Sequence, residues 1–116
     1  MKTILVIDDN ETFRLILAEW LETEGFCPLV ARNGFEGLQL ARSYYPDLIF
    51  CDVNMPGING IEVLKELRND LNTLHIPFFF LTSDASLNPN LMQQLGATGI
   101  IEKRAETYQL RQALVL

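Results

Sequence analysis

Apolar residues gather into five short runs, residues 4–7, 26–31, 48–51, 78–81 and 99–101, and between them polar residues return with a helical period. The runs are nearly continuous rather than alternating, as in strands buried on both faces, so the alternation predicts a parallel sheet covered by helices on its two sides. After the first run, Phe13, Ile16, Leu17, Trp20 and Leu21 recur at i, i+3, i+4, i+7 and i+8 and predict one apolar stripe on a first helix. Gly25 stands where that helix would end in the left-handed conformation. Asn33 with Glu36 and Asn59 with Glu62 resemble capping boxes, with Asn in place of Ser or Thr, and open the second and third helices. Pro77 marks the start of the fourth strand, where a missing N–H is tolerated. Asn88 and Pro89 read as the N-cap and first residue of a short fourth helix ending through Leu95 at Gly96. Residues 105–116 form a fifth helix, with Leu110, Ala113 and Leu114 inward. No internal repeat, low-complexity tract or linker interrupts the chain, which reads as one domain over residues 1–116.

Composition narrows the function classes. With 48% hydrophobic and 21% charged residues, the chain has a globular rather than a disordered composition. A net charge of -6 and a pI near 4.6 argue against a nucleic-acid surface, which needs clustered Lys and Arg. Partners that meet the chain electrostatically should be basic, or the acid should be local and hold a metal. No apolar stretch approaches the roughly 20 residues of a membrane span. Asp8 and Asp9 cut short the first apolar run, so the start does not read as a signal peptide, and a cytoplasmic location is expected. Cys27 and Cys51 lack the clustered spacing of a zinc site or a disulfide framework and are expected to be buried, reduced thiols.

The chemistry lies at the ends of the apolar runs. The first runs into Asp8 and Asp9, the third into Asp52, the fourth into Thr82, and the fifth reaches Lys103 past Glu102. In an open parallel sheet these carboxyl ends converge on the edge where ligands bind. Mg²⁺ prefers an octahedron of oxygens and is usually held by one or two carboxylates with waters and phosphate oxygens, a half-shell that Asp8, Asp9 and Asp52 could supply. Without a cation, three crowded carboxylates repel one another and push at least one pKa upward. With Mg²⁺ and Lys103 the formal charges sum to zero. A carboxylate is also a nucleophile toward phosphorus, and Asp52 is the candidate, being single, terminal to a central strand and followed by a loop with Pro56, Gly57 and Gly60. Mg²⁺, Lys103, Thr82 and loop N–H groups could then share the charge of the phosphoryl oxygens. A lone Lys, Thr or Asp after a strand is usually a solvated surface group, but here four strand ends carry such residues together. His75, without a companion histidine, reads as a surface residue, and Phe13 and Trp20 as parts of the first helix's core stripe.

In order, the segments ILVIDD, DLIFCDVNMPGINGIEVLKELR, IPFFFLTS and GATGIIEK resemble the receiver domain of two-component response regulators, over essentially the whole chain. That resemblance implies a flavodoxin-like three-layer α/β fold of five βα units with a five-stranded parallel sheet in the order 2-1-3-4-5. It implies that Asp52 accepts a phosphoryl group from a phosphohistidine on a histidine kinase or histidine phosphotransfer protein. Asp8 and Asp9 would bind Mg²⁺, or Mn²⁺ in its place, with Asp52 and the backbone carbonyl of Asn54 completing the protein ligands. Thr82 would hydrogen-bond the phosphate and Lys103 would pair with it. Asn54 and Asp84 match the variable positions that adjust phosphate lifetime.

Two positions depart from the family pattern. Many receivers carry on the fifth strand an aromatic that swings inward when the hydroxyl residue moves toward phosphate, and the matching residue here is Ile100, which lacks that ring rotation. The family also follows the lysine with a proline after a cis peptide, whereas Arg104 follows Lys103. A cis bond before a non-proline residue costs about 3 kcal/mol, so a trans Lys103–Arg104 peptide is expected, with a shifted lysine loop and weaker phosphate contacts. The leading function is therefore a phosphorylation-dependent switch read by a downstream protein or by an output domain missing from this chain; the short last helix makes truncation plausible. The alternative is a phosphorylation-independent interaction module of the same fold, suggested by Ile100 and Arg104. A turnover phosphatase with an aspartyl nucleophile is disfavoured, because no covering domain and no Asp-x-Asp acid accompany Asp52. The expected activity is self-phosphorylation and self-dephosphorylation, not turnover, with no nucleic-acid or membrane partner.

Overall fold

Five parallel strands, β1 (Thr3–Ile7), β2 (Cys27–Ala31), β3 (Leu48–Asp52), β4 (Phe78–Thr82) and β5 (Gly99–Glu102), form one sheet in the order β2-β1-β3-β4-β5. They belong to a computed structural model that describes residues 1–84, 87–104 and 107–115. The helices are α1 (Glu11–Thr23), α2 (Gly34–Tyr44), α3 (Gly60–Arg68), α4 (Pro89–Gln94) and α5 (Thr107–Leu114). The fold is the flavodoxin-like arrangement that the resemblance implies.

Alternation along each strand divides the core into two layers. Ile4, Val6, Leu48, Phe50, Phe79 and Leu81 pack with Leu17 and Leu21 of α1 and Ala113 and Leu114 of α5. Their neighbours Leu5, Ile7, Ile49, Cys51, Phe78 and Phe80 face the other way, toward Leu38 and Ala41 of α2, Val63, Leu64 and Leu67 of α3 and Met92 of α4. The register pairs Ile7 with Cys51, Asp52 with Leu81 and Thr82 with Glu102, so the strands finish together at one edge of the sheet.

The caps follow the sequence with one variation. Asn59 and Glu62 form a complete capping box on α3. On α2, Asn33 accepts the Glu36 N–H, but the Glu36 carboxylate takes the N–H and guanidinium of Arg32 instead of closing the box. Asn88 caps α4 with Pro89 in its first turn, and Gly25 and Gly96 take positive φ after α1 and α4. Phe26, expected in the second strand, belongs to the turn before it, where its N–H donates to the Leu21 carbonyl at 3.0 Å. Pro77 likewise stands just ahead of β4, its carbonyl accepting the Ile49 N–H. Of the expected fifth helix, residues 105, 106 and 116 lie outside the described residues; Ala113 and Leu114 are buried and Leu110 packs against them as expected.

The burial expected of Cys27 and Ile16 is corrected. Cys51 is buried, but Cys27 is exposed, because β2 is an edge strand and its run is not covered on both faces. The Cys27 N–H donates to Lys2 and the Ala31 carbonyl accepts from Asp8, which turns Pro28 outward, where no N–H is required. Ile16 is 62% exposed. The buried face of α1 is centred on Arg14, Leu17, Ala18 and Leu21, and Phe13 and Trp20 stand on its shoulder, half-buried, with Ile16 beyond them.

Candidate functional site

Asp8 is the residue after β1, and its N–H continues the ladder by donating to the Ala31 carbonyl at 3.1 Å. Its carbonyl accepts from Arg14 Nη1 at 2.8 Å, and Oδ1 accepts the Asn10 N–H at 2.9 Å, which starts the turn into α1. The other carboxylate oxygen, Oδ2, is buried and lies 2.8 Å from Lys103 Nζ without an aligned hydrogen bond, so it has a charge partner but no directed donor. Asp9 is exposed on the same turn. Asp52 ends β3, only 8% exposed, with Oδ2 3.5 Å from Lys103 Nζ. One oxygen from each of Asp8, Asp9 and Asp52 lies within 4.8 Å of the others.

Crowding tunes the acid. Burial, then the negative charge of Asp8, raises the Asp52 carboxyl from an ordinary value near 3.8 to about 6; Lys103 offsets part of the rise and Asp9 adds to it. Burial disfavours the Lys103 ammonium, but contact with Asp8 and the negative charges of Asp52 and Asp8 outweigh it and hold its pKa above the usual lysine value. Burial, with the charges of Asp52 and Asp8, pushes the Cys51 thiol well up, so this neighbour stays protonated.

Thr82 ends β4 and is buried; its Oγ1 accepts the Asp84 N–H at 2.9 Å. The Lys103 N–H donates to the Thr82 carbonyl at 2.7 Å, anchoring the lysine loop to the neighbouring strand. The Lys103–Arg104 peptide is trans, as expected, and Lys103 nonetheless reaches Asp8 and Asp52. Asn54 and Asp84 are exposed, each two residues beyond a strand end. Asp8, Asp9, Asp52 and Lys103 thus form one cluster, with Thr82 tied to it through the lysine backbone. His75 is exposed.

Sequence reasoning missed the supporting roles of three residues, although Gly60 reads as part of the loop after Asp52 and Phe13 as part of the first helix's stripe. Arg14 sits on the buried face of α1 with its guanidinium on the Asp8 carbonyl; its spacing from Leu17, Ala18 and Leu21 is the signal that could have found it. Gly60 opens α3 with its Cα against the Asp52 carbonyl, where any Cβ would collide with that oxygen, and it donates its N–H to Val53. The Phe13 ring lies 4.8 Å from Lys103 Nζ. The Phe13 contact joins distant segments, and the tight fit of Gly60 on the Asp52 carbonyl depends on the path of the loop between them, so neither shows in local pattern.

The donor set fits a hard divalent cation. Three carboxylate oxygens converge, Asp8 has a buried oxygen without a directed donor, and a single ammonium leaves two of the three formal negative charges uncompensated. The cluster sits at the carboxyl edge of the parallel sheet, where ligands bind in open α/β folds. The profile of the response regulator receiver domain matches residues 4–115, and the chain belongs to that family. The polar-differentiation response regulator DivK of Brucella anthropi is 37% identical over 84 residues, covering 72% of this chain and 68% of that protein. Chemotaxis protein CheY4 of Vibrio cholerae superposes with a TM-score of 0.89 at 30% identity, over 99% of this chain and 97% of that one. The Thermotoga maritima response regulator TrrA, solved in complex with Mg²⁺ and BeF, gives 0.88 at 31% identity over the same shares of the two chains. Among the described residues, no helix is long and apolar enough to cross a membrane.

Proposed function

We propose that this chain, one receiver domain, is a phosphorylation-dependent switch of the cytoplasm, with Asp52 as the phosphoacceptor and a phosphohistidine on a histidine kinase or phosphotransfer protein as donor. One Asp52 oxygen forms a bond to phosphorus while the bond from phosphorus to the donor imidazole breaks, its electron pair remaining on nitrogen. Asp8 and Asp9, with Asp52 and the Asn54 carbonyl, would hold Mg²⁺, as the metal-bound structure of TrrA suggests by likeness. Bound there, Mg²⁺ would supply positive charge to the phosphoryl oxygens. Lys103 stays protonated and supplies one more, and the Thr82 hydroxyl, at the end of the neighbouring strand, would donate a hydrogen bond to the phosphoryl group once it leaves Asp84. The chain modifies itself and releases phosphate; it does not turn over a separate substrate. Phosphate then favours one of two conformations, which a downstream protein or output domain reads.

The observation that carries this reading is the meeting of Asp52 with Asp8, Asp9 and Lys103 at the sheet edge. Incubation with Mg²⁺ and acetyl phosphate, followed by intact-mass measurement, should show one added phosphoryl group on the wild type and none on Asp52→Asn. A wild type that binds Mg²⁺ yet stays unmodified even with a competent donor protein would sink the switch. It would favour the phosphorylation-independent interaction module, for which Ile100, packed on the core as a branched aliphatic, speaks.

A further inference from the structure

Lys103 is anchored by its backbone to β4, yet its ammonium reaches Asp8 at the end of β1, across the ends of β4 and β3. Its contacts there are ionic and poorly directed, since the 2.8 Å approach to Asp8 Oδ2 lacks hydrogen-bond alignment and the approach to Asp52 is 3.5 Å. Phe13 supplies a fixed surface. Its N–H is held by the Asn10 cap at 3.0 Å in the first turn of α1, and its ring face lies 4.8 Å from Nζ, inside the range of cation–π attraction. The lysine side chain is only 17% exposed there. The same ring walls an apolar cleft of about 180 Å³ between α1 and α5, with Trp20, Leu81, Ile101 and Leu110 on its other sides.

We propose that Phe13 is a positioning residue for phosphoryl transfer: its ring holds the Lys103 ammonium where it meets Asp52 and the phosphoryl group arriving on it. This rests on the switch reading of the site. With acetyl phosphate, an Asp52 oxygen bonds to phosphorus as the bond to the acetate oxygen breaks, and acetate leaves with the electron pair; Lys103 keeps its proton and offsets the charge of the phosphoryl oxygens.

The test compares Phe13→Leu, which keeps apolar bulk, with Phe13→Trp, which keeps an aromatic face. Phosphorylation of the full chain by acetyl phosphate at saturating Mg²⁺ should slow about threefold to tenfold in Phe13→Leu and stay near the wild-type rate in Phe13→Trp. Mg²⁺ affinity by calorimetry should change less than about twofold in both, because no metal-holding group is touched. In metal-free protein, the Lys103 ε-methylene protons should show an upfield ring-current shift by NMR that Phe13→Leu removes. Equal rates for Leu and Phe, a Trp variant as slow as Leu, a collapse of Mg²⁺ affinity, or unshifted lysine protons in the wild type each overturn the role of Phe13. A wild type that takes no phosphoryl group instead overturns the switch reading, and the NMR shift then decides the Phe13–Lys103 contact by itself.

Discussion

The two sides of the sheet are built to different standards of closure. On the α2–α3–α4 side, Phe78 and Phe80 meet edge to face at 5.1 Å, fully buried. The helices there come close through glycine: Gly37 leaves no room for a Cβ beside Ile7, and Gly60 none beside the Asp52 carbonyl. On the α1–α5 side, Phe50 and Phe79 are 6.1 Å apart, and a cleft remains between the helices under Phe13 and Trp20. Asp52 thus stands on a clamped strand end, whereas Lys103 lies against the Phe13 ring on the looser side. Under the proposed switch, a site divided in this way would hold the Asp52 oxygen still while Lys103 meets the phosphoryl group from the looser layer.

The largest break in that comparison should come from the clamp. Gly60→Ala forces the backbone of Asp52 or the start of α3 to shift and should lower stability by about 3 kcal/mol, whereas Trp20→Ala on the open side should cost about half as much. Urea unfolding of the two variants beside the wild type checks this, and equal losses would mean that both layers are equally tight. Next in size is the acid itself. The folded Asp52 pKa of about 6 exceeds the unfolded value near 3.8, so the native state binds more protons between those values and loses stability as pH rises through them. In metal-free protein, Asp52→Asn should therefore be stabilising by about 2 kcal/mol at pH 7, with the gain fading as pH falls from about 6 toward about 4. Thermal melts in chelator across that range test the sign. The smallest effect concerns helix ends. α1 closes at Gly25 with φ +90°, but α2 closes at Tyr45 with φ +46°, a left-handed backbone that a bulky residue adopts at a cost. Tyr45→Gly should stabilise by about 1 kcal/mol in the same unfolding assay, and a loss would show that the tyrosine side chain holds more than its backbone strains.

Much of this architecture could be read from the chain, and the failures share a cause. The central strands, the Asn59 and Asn88 caps and the acids at the strand ends all follow from local pattern, because each depends on residues a few positions apart. Strand order did not come from periodicity; it followed from likeness to receivers. Periodicity by itself marks the β2 run and Ile16 as apolar positions without saying whether anything covers them, and neither Cys27 nor Ile16 is covered. An apolar residue is buried only if some other element covers it, and the cover is chosen by topology. Arg14 shows the converse: a cation at a core position is easily discounted, yet its guanidinium satisfies the carbonyl of Asp8. Phe13 meets Lys103 from the far end of the chain, which no local pattern can show, whereas Gly60 is only one loop from Asp52 and what escapes the pattern there is the absence of space for a methyl group.

The chain has one tryptophan, Trp20, and it stands in the open layer, with the Arg111 guanidinium 5.8 Å from its ring. Seven residues separate it from Phe13, about 10 Å along α1. The protein therefore carries its own fluorophore at the lower end of the cleft whose upper end is the phenylalanine under Lys103. Excited at the red edge of protein absorption, its emission reports on hydration and closure between α1 and α5 and is blind to the clamped side, so the looser half of the molecule can be followed in solution without attaching a dye.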